Sequence, residues 1–127
     1  MTPAHDRRRE TGEAAETAVA ERLAAEGYAI VARNWRCATG ELDIVAVRDD
    51  LIAFVEVRSA TTDYLESPAN TVLSSKQARI ARAADAYLRA HGTVHARIRF
   101  DVVAVTFCEG RANIEYYENA FVPRAAF

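Results

Sequence analysis

Apolar and polar positions along the chain follow two periods, and each change of period marks an element. From Asp6 to about Glu26 alanine and glutamate dominate, with Asp6 as a cap and Gly27 as a stop, which predicts a helix. The pattern turns strand-like over Tyr28 to Trp35, and again over Glu41 to Val47 and Leu51 to Arg58, two strands joined at Asp49-Asp50. Residues 59–73 carry neither period and read as a mobile functional loop. Ser74 to Gln77 fits an S-x-x-Q capping box opening a helix to about His91, with Ile80, Ala84, Tyr87 and Leu88 as its apolar stripe. Arg99 to Phe107 then reads as a buried strand and Asn113 to Glu118 as a shorter one. The order α-β-β-β-α-β-β predicts an α/β fold, a mixed central sheet of about five strands flanked by helices.

A length of 127 residues suits a single domain, 1–127, with residues 1–6 expected as a flexible N-terminus. No apolar run approaches the roughly 20 residues that span a bilayer, and Arg7, Arg8 and Arg9 lead into Glu-rich sequence rather than a secretory signal. A cytoplasmic location without membrane association is expected. Cys37 and Cys108 form neither a disulfide framework nor a zinc motif, and are expected as buried, reduced thiols. His5, His91 and His95 lack ligand spacing. A net charge of -2 argues against coating nucleic acid through bulk charge, so any phosphate-binding surface must be confined to one face. Fifteen of the sixteen cationic residues are arginine, which singles out Lys76.

The hairpin turns strand geometry into candidate chemistry. An even-length loop at Asp49-Asp50 pairs residues whose numbers sum to 99, placing Asp43 opposite Glu56 and Glu41 opposite Arg58, with Val45 and Val47 facing Phe54 and Ile52. Directly paired side chains have Cβ atoms about 5 Å apart, and like charges there are destabilising. At an effective dielectric of about 20, two unit charges about 4 Å apart interact by about 4 kcal/mol, enough to demand a proton, a cation or a metal ion. Mg²⁺ or Mn²⁺ suits such carboxylates, with a backbone carbonyl near Val57 completing the protein ligands. The competing reading is a rim pair, one acid bonded to Arg58 and the other solvated. Glu16 adds weight to the metal, because Val19, Ala20 and Leu23 lie at helical spacing from it and mark its face as the apolar one. Glu13, Glu21 and Glu26, by contrast, read as solvated acids.

The stretches GEAAETAVAERLAAEGYAIVARNWR, GELDIVA, FVEVR, PANTVLSSKQ, RFDVV and NAF span nearly the whole chain in order. Together they resemble the YraN family of bacterial proteins. That resemblance implies a restriction-endonuclease-like core similar to archaeal Holliday-junction resolvases, whose pattern is Glu, then Asp, then Glu-x-Lys. By position, Glu16 matches the helical Glu, Asp43 the Asp, Glu56 the second acid and Arg58 the lysine. In such nucleases the acids hold metal and the lysine helps orient the attacking water. Two departures are Arg58 in place of lysine and Glu66 where glycine is expected before Pro68.

Three functions compete on these residues. The first is a metal-dependent nuclease acting on DNA, branched or flapped forms included, with Glu16, Asp43, Glu56, Arg58 and Lys76 as catalytic candidates and Glu16, Asp43 and Glu56 as metal ligands. Arg58 could bind phosphate through its planar fork but cannot readily act as a base. The second is a catalytically inactive module in which Arg33, Trp35, Arg36, Arg58, Lys76 and Arg79 contact nucleic acid. Trp35 reads more readily as core packing, and Arg79 and Arg82 as a solvated helix face. The third is an interaction or homodimer scaffold using the edge strand 113–118. Lys76, at the head of the second helix, is expected to stand in part for the missing lysine, against the alternative of an exposed side chain on a capping turn.

Overall fold

The computed structural model describes residues 4–60, 74–92 and 97–122; of residues 4–10, 60 and 74 it describes the backbone alone. Helix α1 spans Ala4–Ala25 and leads into strands β1 (Ala29–Cys37), β2 (Gly40–Arg48) and β3 (Leu51–Ala60). Helix α2 (Ser74–His91) precedes β4 (Arg97–Cys108) and β5 (Arg111–Tyr117). The strands form one five-stranded sheet in the order β1-β2-β3-β4-β5. Only β3 and β4 run parallel; the other neighbours are antiparallel. The chain is thus an α/β fold with a mixed sheet and the expected element order.

Each helix covers one face. Val19 and Leu23 of α1 pack on Ile44, Val55, Val103 and Val105. Ile80, Ala84 and Tyr87 of α2 pack on Val45, Phe54, Phe100 and Val102. The two sets interleave along each central strand because successive side chains point to opposite faces. The two layers make a split core around β3 and β4, as expected of strands covered on both sides.

Several expectations need correction. Helix α1 begins at Ala4, ahead of Asp6, so Asp6 lies within the helix rather than capping it. Strand β3 continues to Ala60 because it pairs in parallel with β4 as far as Thr106, taking in the first residues of the supposed loop. Glu66, Pro68, the rest of that loop, His95 and the Ser74 side chain of the capping box lie outside what is described. Cys108 is exposed and Cys37 half-buried, both with free thiols, so neither is a core thiol; the two sit at strand ends beside turns. No helix among the described residues is long and apolar enough to cross a membrane.

Candidate functional site

The β2–β3 ladder follows the expected register, with Val45 against Phe54 and Val47 against Ile52, and runs as far as Ile44 against Val55. Beyond that pair the strands diverge. The Val57 N–H donates to Asp43 Oδ2 at 2.8 Å, so a side chain takes the hydrogen bond that a ladder carbonyl would otherwise accept. The β1–β2 ladder keeps its register but is interrupted at the same level: Arg33 pairs with Ile44 and Trp35 with Leu42, while Asn34 and Asp43 between them do not pair.

Both strands break alternation there. Ile44 packs toward α1, yet Leu42 packs toward α2; Arg33 bonds Thr17 of α1 at 3.1 Å, yet Trp35 stacks edge-on against Tyr87 of α2 at 5.3 Å. Asn34 adopts φ 50, a left-handed conformation that asparagine tolerates better than most residues. The break in alternation falls beside Asp43, whose carboxylate accepts the Val57 N–H.

Asp43 and Glu56 lie close enough on the cleft for their carboxyl groups to act on one another. Burial pushes Asp43 up to about 8; the Glu56 charge adds to the shift, and the Val57 N–H opposes it. Glu56 pairs with Val102 and so faces α2; it is only 7 % exposed. Across from it, Lys76 Nζ lies 2.7 Å from Glu56 Oε1. The close approach of α2 depends on Gly40, where a Cβ would meet the Arg79 carbonyl oxygen at 3.2 Å. The result is a cleft of about 680 Å³ whose floor holds Asp43 and Glu56 and whose walls carry Arg36, Glu41, Lys76 and Arg79.

A second group of acids lies beside it. The Asn34 amide, with its nitrogen facing both carboxylates, is 2.7 Å from Glu16 Oε1 and 3.3 Å from Glu41 Oε1. Glu16 is half-buried, and desolvation raises its pKa against the lowering effects of the Asn34 amide and the Arg33 charge. Glu41, expected opposite Arg58, instead pairs with Arg36 of β1 at 3.6 Å, because β2 and β3 have separated by that level.

The model of the Uncharacterised protein family UPF0102 matches residues 15–105. The chain belongs to this family, YraN. A UPF0102 protein of Myxococcus xanthus is 44% identical over 114 residues, covering 90% of each chain. One from Desulfosudis oleivorans is 43% identical over 117 residues, covering 91% of this chain and 93% of its own. One from Moorella thermoacetica is 40% identical over 116 residues, covering 90% and 97%.

In this UPF0102 chain the structure gathers Asp43, Glu56 and Lys76, with Arg36 and Arg79 at the walls and Glu16 near enough for its charge to act on Asp43. Arg58 is half-buried on β3 beside Ala104 and does not line the cleft; nor does Arg33, which is bonded to α1. Among the described residues no group of three histidine, cysteine or acidic side chains is arranged to hold a metal ion. Glu16 stands beside the pair with its carboxylate facing the Asn34 amide, and its charge adds to the upward shift of Asp43. The pair still offers all-oxygen, carboxylate chemistry in a cleft, which fits Mg²⁺ or Mn²⁺ better than a softer ion.

Sequence reasoning missed Asn34 and Asp101. An asparagine inside a strand-like run is a signal for a left-handed residue. A charge in the apolar run RFDVVAV is a signal for a buried polar partner.

Proposed function

We propose that this chain is a magnesium- or manganese-dependent endonuclease acting on DNA, branched or flapped forms included. The observation that carries the reading is the Lys76 ammonium 2.7 Å from the buried Glu56 carboxylate, beside Asp43. It supplies, from helix α2, the lysine that Arg58 replaces in the strand motif. Asp43 and Glu56 would hold the ion, whose chemistry is to polarise a phosphoryl oxygen and activate water. Arg36 and Arg79 are placed to hold phosphates at the mouth, and Lys76 to stabilise charge that develops near Glu56.

A second reading, a nucleic-acid-binding module without catalysis, is favoured by the same ion pair together with the upward shift of Asp43, since a cation and a proton already compensate the acids. Labelled linear, flapped and four-way DNAs incubated with Mg²⁺ or Mn²⁺ separate the two. Cleavage of one or more forms is expected, lost in Asp43→Asn and Glu56→Gln and lowered at least about tenfold in Lys76→Ala, about 1.4 kcal/mol of transition-state stabilisation. Binding with no cleavage of any form selects the module. Mg²⁺ should also raise the melting temperature of the native chain by mass action, and Asp43→Asn should remove most of that rise.

A further inference from the structure

We infer that Lys76 is a gate on the cation site: in the free protein its ammonium sits on the Glu56 oxygen that a divalent ion would use, and a nucleic-acid phosphate entering the cleft draws it off. The inference rests on reading Asp43 and Glu56 as the cation site, and it concerns how that site is regulated rather than what it cleaves.

The asymmetry of the ion pair carries the argument. The Glu56 side chain is 7% exposed and fixed in β3, whereas that of Lys76 is 41% exposed and reaches in from the first turns of α2. The partner that can leave is the lysine, a compact charge on a flexible four-carbon stem. Its ammonium contacts Glu56 Oε1 at 2.7 Å, so an ion bound to that oxygen would meet a like charge at close range. One of the two must yield.

The lysine has somewhere to go. Arg79 follows Lys76 by three positions on α2 and so shares its face, and Arg36 stands in the same cleft on β1. A phosphate held by these cations gives the ammonium a replacement for the carboxylate it surrenders. Phosphate binding and ion binding then favour each other, and by linkage the coupling is reciprocal. A lysine that merely orients groups in a finished site has no such effect on the ion affinity of the free protein.

Because Lys76 is the chain's sole lysine, ¹³C-labelled lysine gives one ε-methylene resonance, readable without any mutation. Saturating Mg²⁺ should move that resonance toward the position of a free lysine. By calorimetry, Mn²⁺ should bind Lys76→Met at least about tenfold tighter than the native chain, and Lys76→Arg close to the native value. A short single-stranded oligonucleotide should tighten Mn²⁺ binding to the native chain more than to Lys76→Met. If the native chain binds Mn²⁺, loses that binding in Asp43→Asn, and Lys76→Met binds it no tighter, the gate is overturned while the cation site stands. An ε-methylene resonance unmoved at Mg²⁺ saturation overturns it in the same way. If neither the native chain nor Lys76→Met binds Mn²⁺, with or without oligonucleotide, both the gate and the cation site fall.

Discussion

Two buried aspartates in this sheet have opposite surroundings. Asp101 is 0% exposed, on the α1 face of β4 beside Val55, and its carboxylate is ringed by hydrogen-bond donors. Arg99 donates to it from Nε and Nη2, both at 2.8 Å, the Tyr116 hydroxyl donates to it, and the Asn119 N–H donates at 2.9 Å. Arg99 is held charged: burial works against it, but its bonds to Asp101 and to the Tyr28 hydroxyl outweigh that cost. Asp43, on the α2 face, has among the described residues one N–H donor and a second carboxylate for company. A buried carboxylate surrounded by donors ties strands together, whereas one set against another acid leaves an electrostatic demand that a proton or a cation must meet. The first arrangement anchors the fold, and the second is where chemistry is to be sought.

The largest expected contrast is in pH. The folded-state pKa of Asp43 is raised to about 8 from an ordinary 3.8, so between these values the folded chain binds a proton that the unfolded chain has lost. This group's contribution to stability is therefore full below about pH 4 and is lost as pH rises through about 8. Urea denaturation in chelator at about pH 5 and about pH 8.5 should show the native chain weakening at the higher pH, while Asp43→Asn weakens much less. Equal pH dependence in the two chains would remove Asp43 as the cause.

Next in size is the loss of the satisfied network. Asp101→Ala strands the Arg99 guanidinium, the Tyr116 hydroxyl and the Asn119 N–H, and should cost about 3–5 kcal/mol in urea denaturation. The damage should spread to the chain end, because Asn119 is followed by Ala120, whose N–H donates to the Phe100 carbonyl at 2.8 Å, and by Phe121, stacked on the Phe100 ring. Asp43→Asn at about pH 8.5 should instead be neutral or stabilising, since it removes a charge next to Glu56. If both substitutions cost the same, the contrast between the two aspartates fails.

The two sites differed equally in how far the sequence revealed them. Alternation about Asp49-Asp50 was enough for the register of Val45 and Val47 against Phe54 and Ile52, and so for the shared face of Asp43 and Glu56, because a tight turn leaves few pairings. It could not reveal that the ladder stops at Ile44, which sent Glu41 to Arg36 instead of Arg58. The partners of Asp101 come from Tyr28 by way of Arg99, and from Tyr116 and Asn119, and such meetings depend on packing rather than local pattern. The position of Lys76 over Glu56 likewise needed the crossing of α2 over the hairpin, which Gly40 permits.

The smallest expected effect separates backbone from side chain at the kink that makes Asp43 different. Asn34 holds φ 50, while its amide faces Glu16 and Glu41. Alanine removes the amide and adds strain in the left-handed region, about 1 kcal/mol relative to glycine, whereas glycine removes the amide and keeps the conformation at ease. Asn34→Gly should therefore be more stable than Asn34→Ala by about that amount in urea denaturation. The two should lose the hold on Glu16 equally, which amide hydrogen exchange in the part of α1 around Glu16 would report as the same rise in both variants. A regular strand position tolerates alanine better than glycine. If Asn34→Ala is the more stable of the two, the left-handed turn at residue 34 is not what breaks the ladder, and the exposed demand of Asp43 must be traced to Asp43 and Val57 alone.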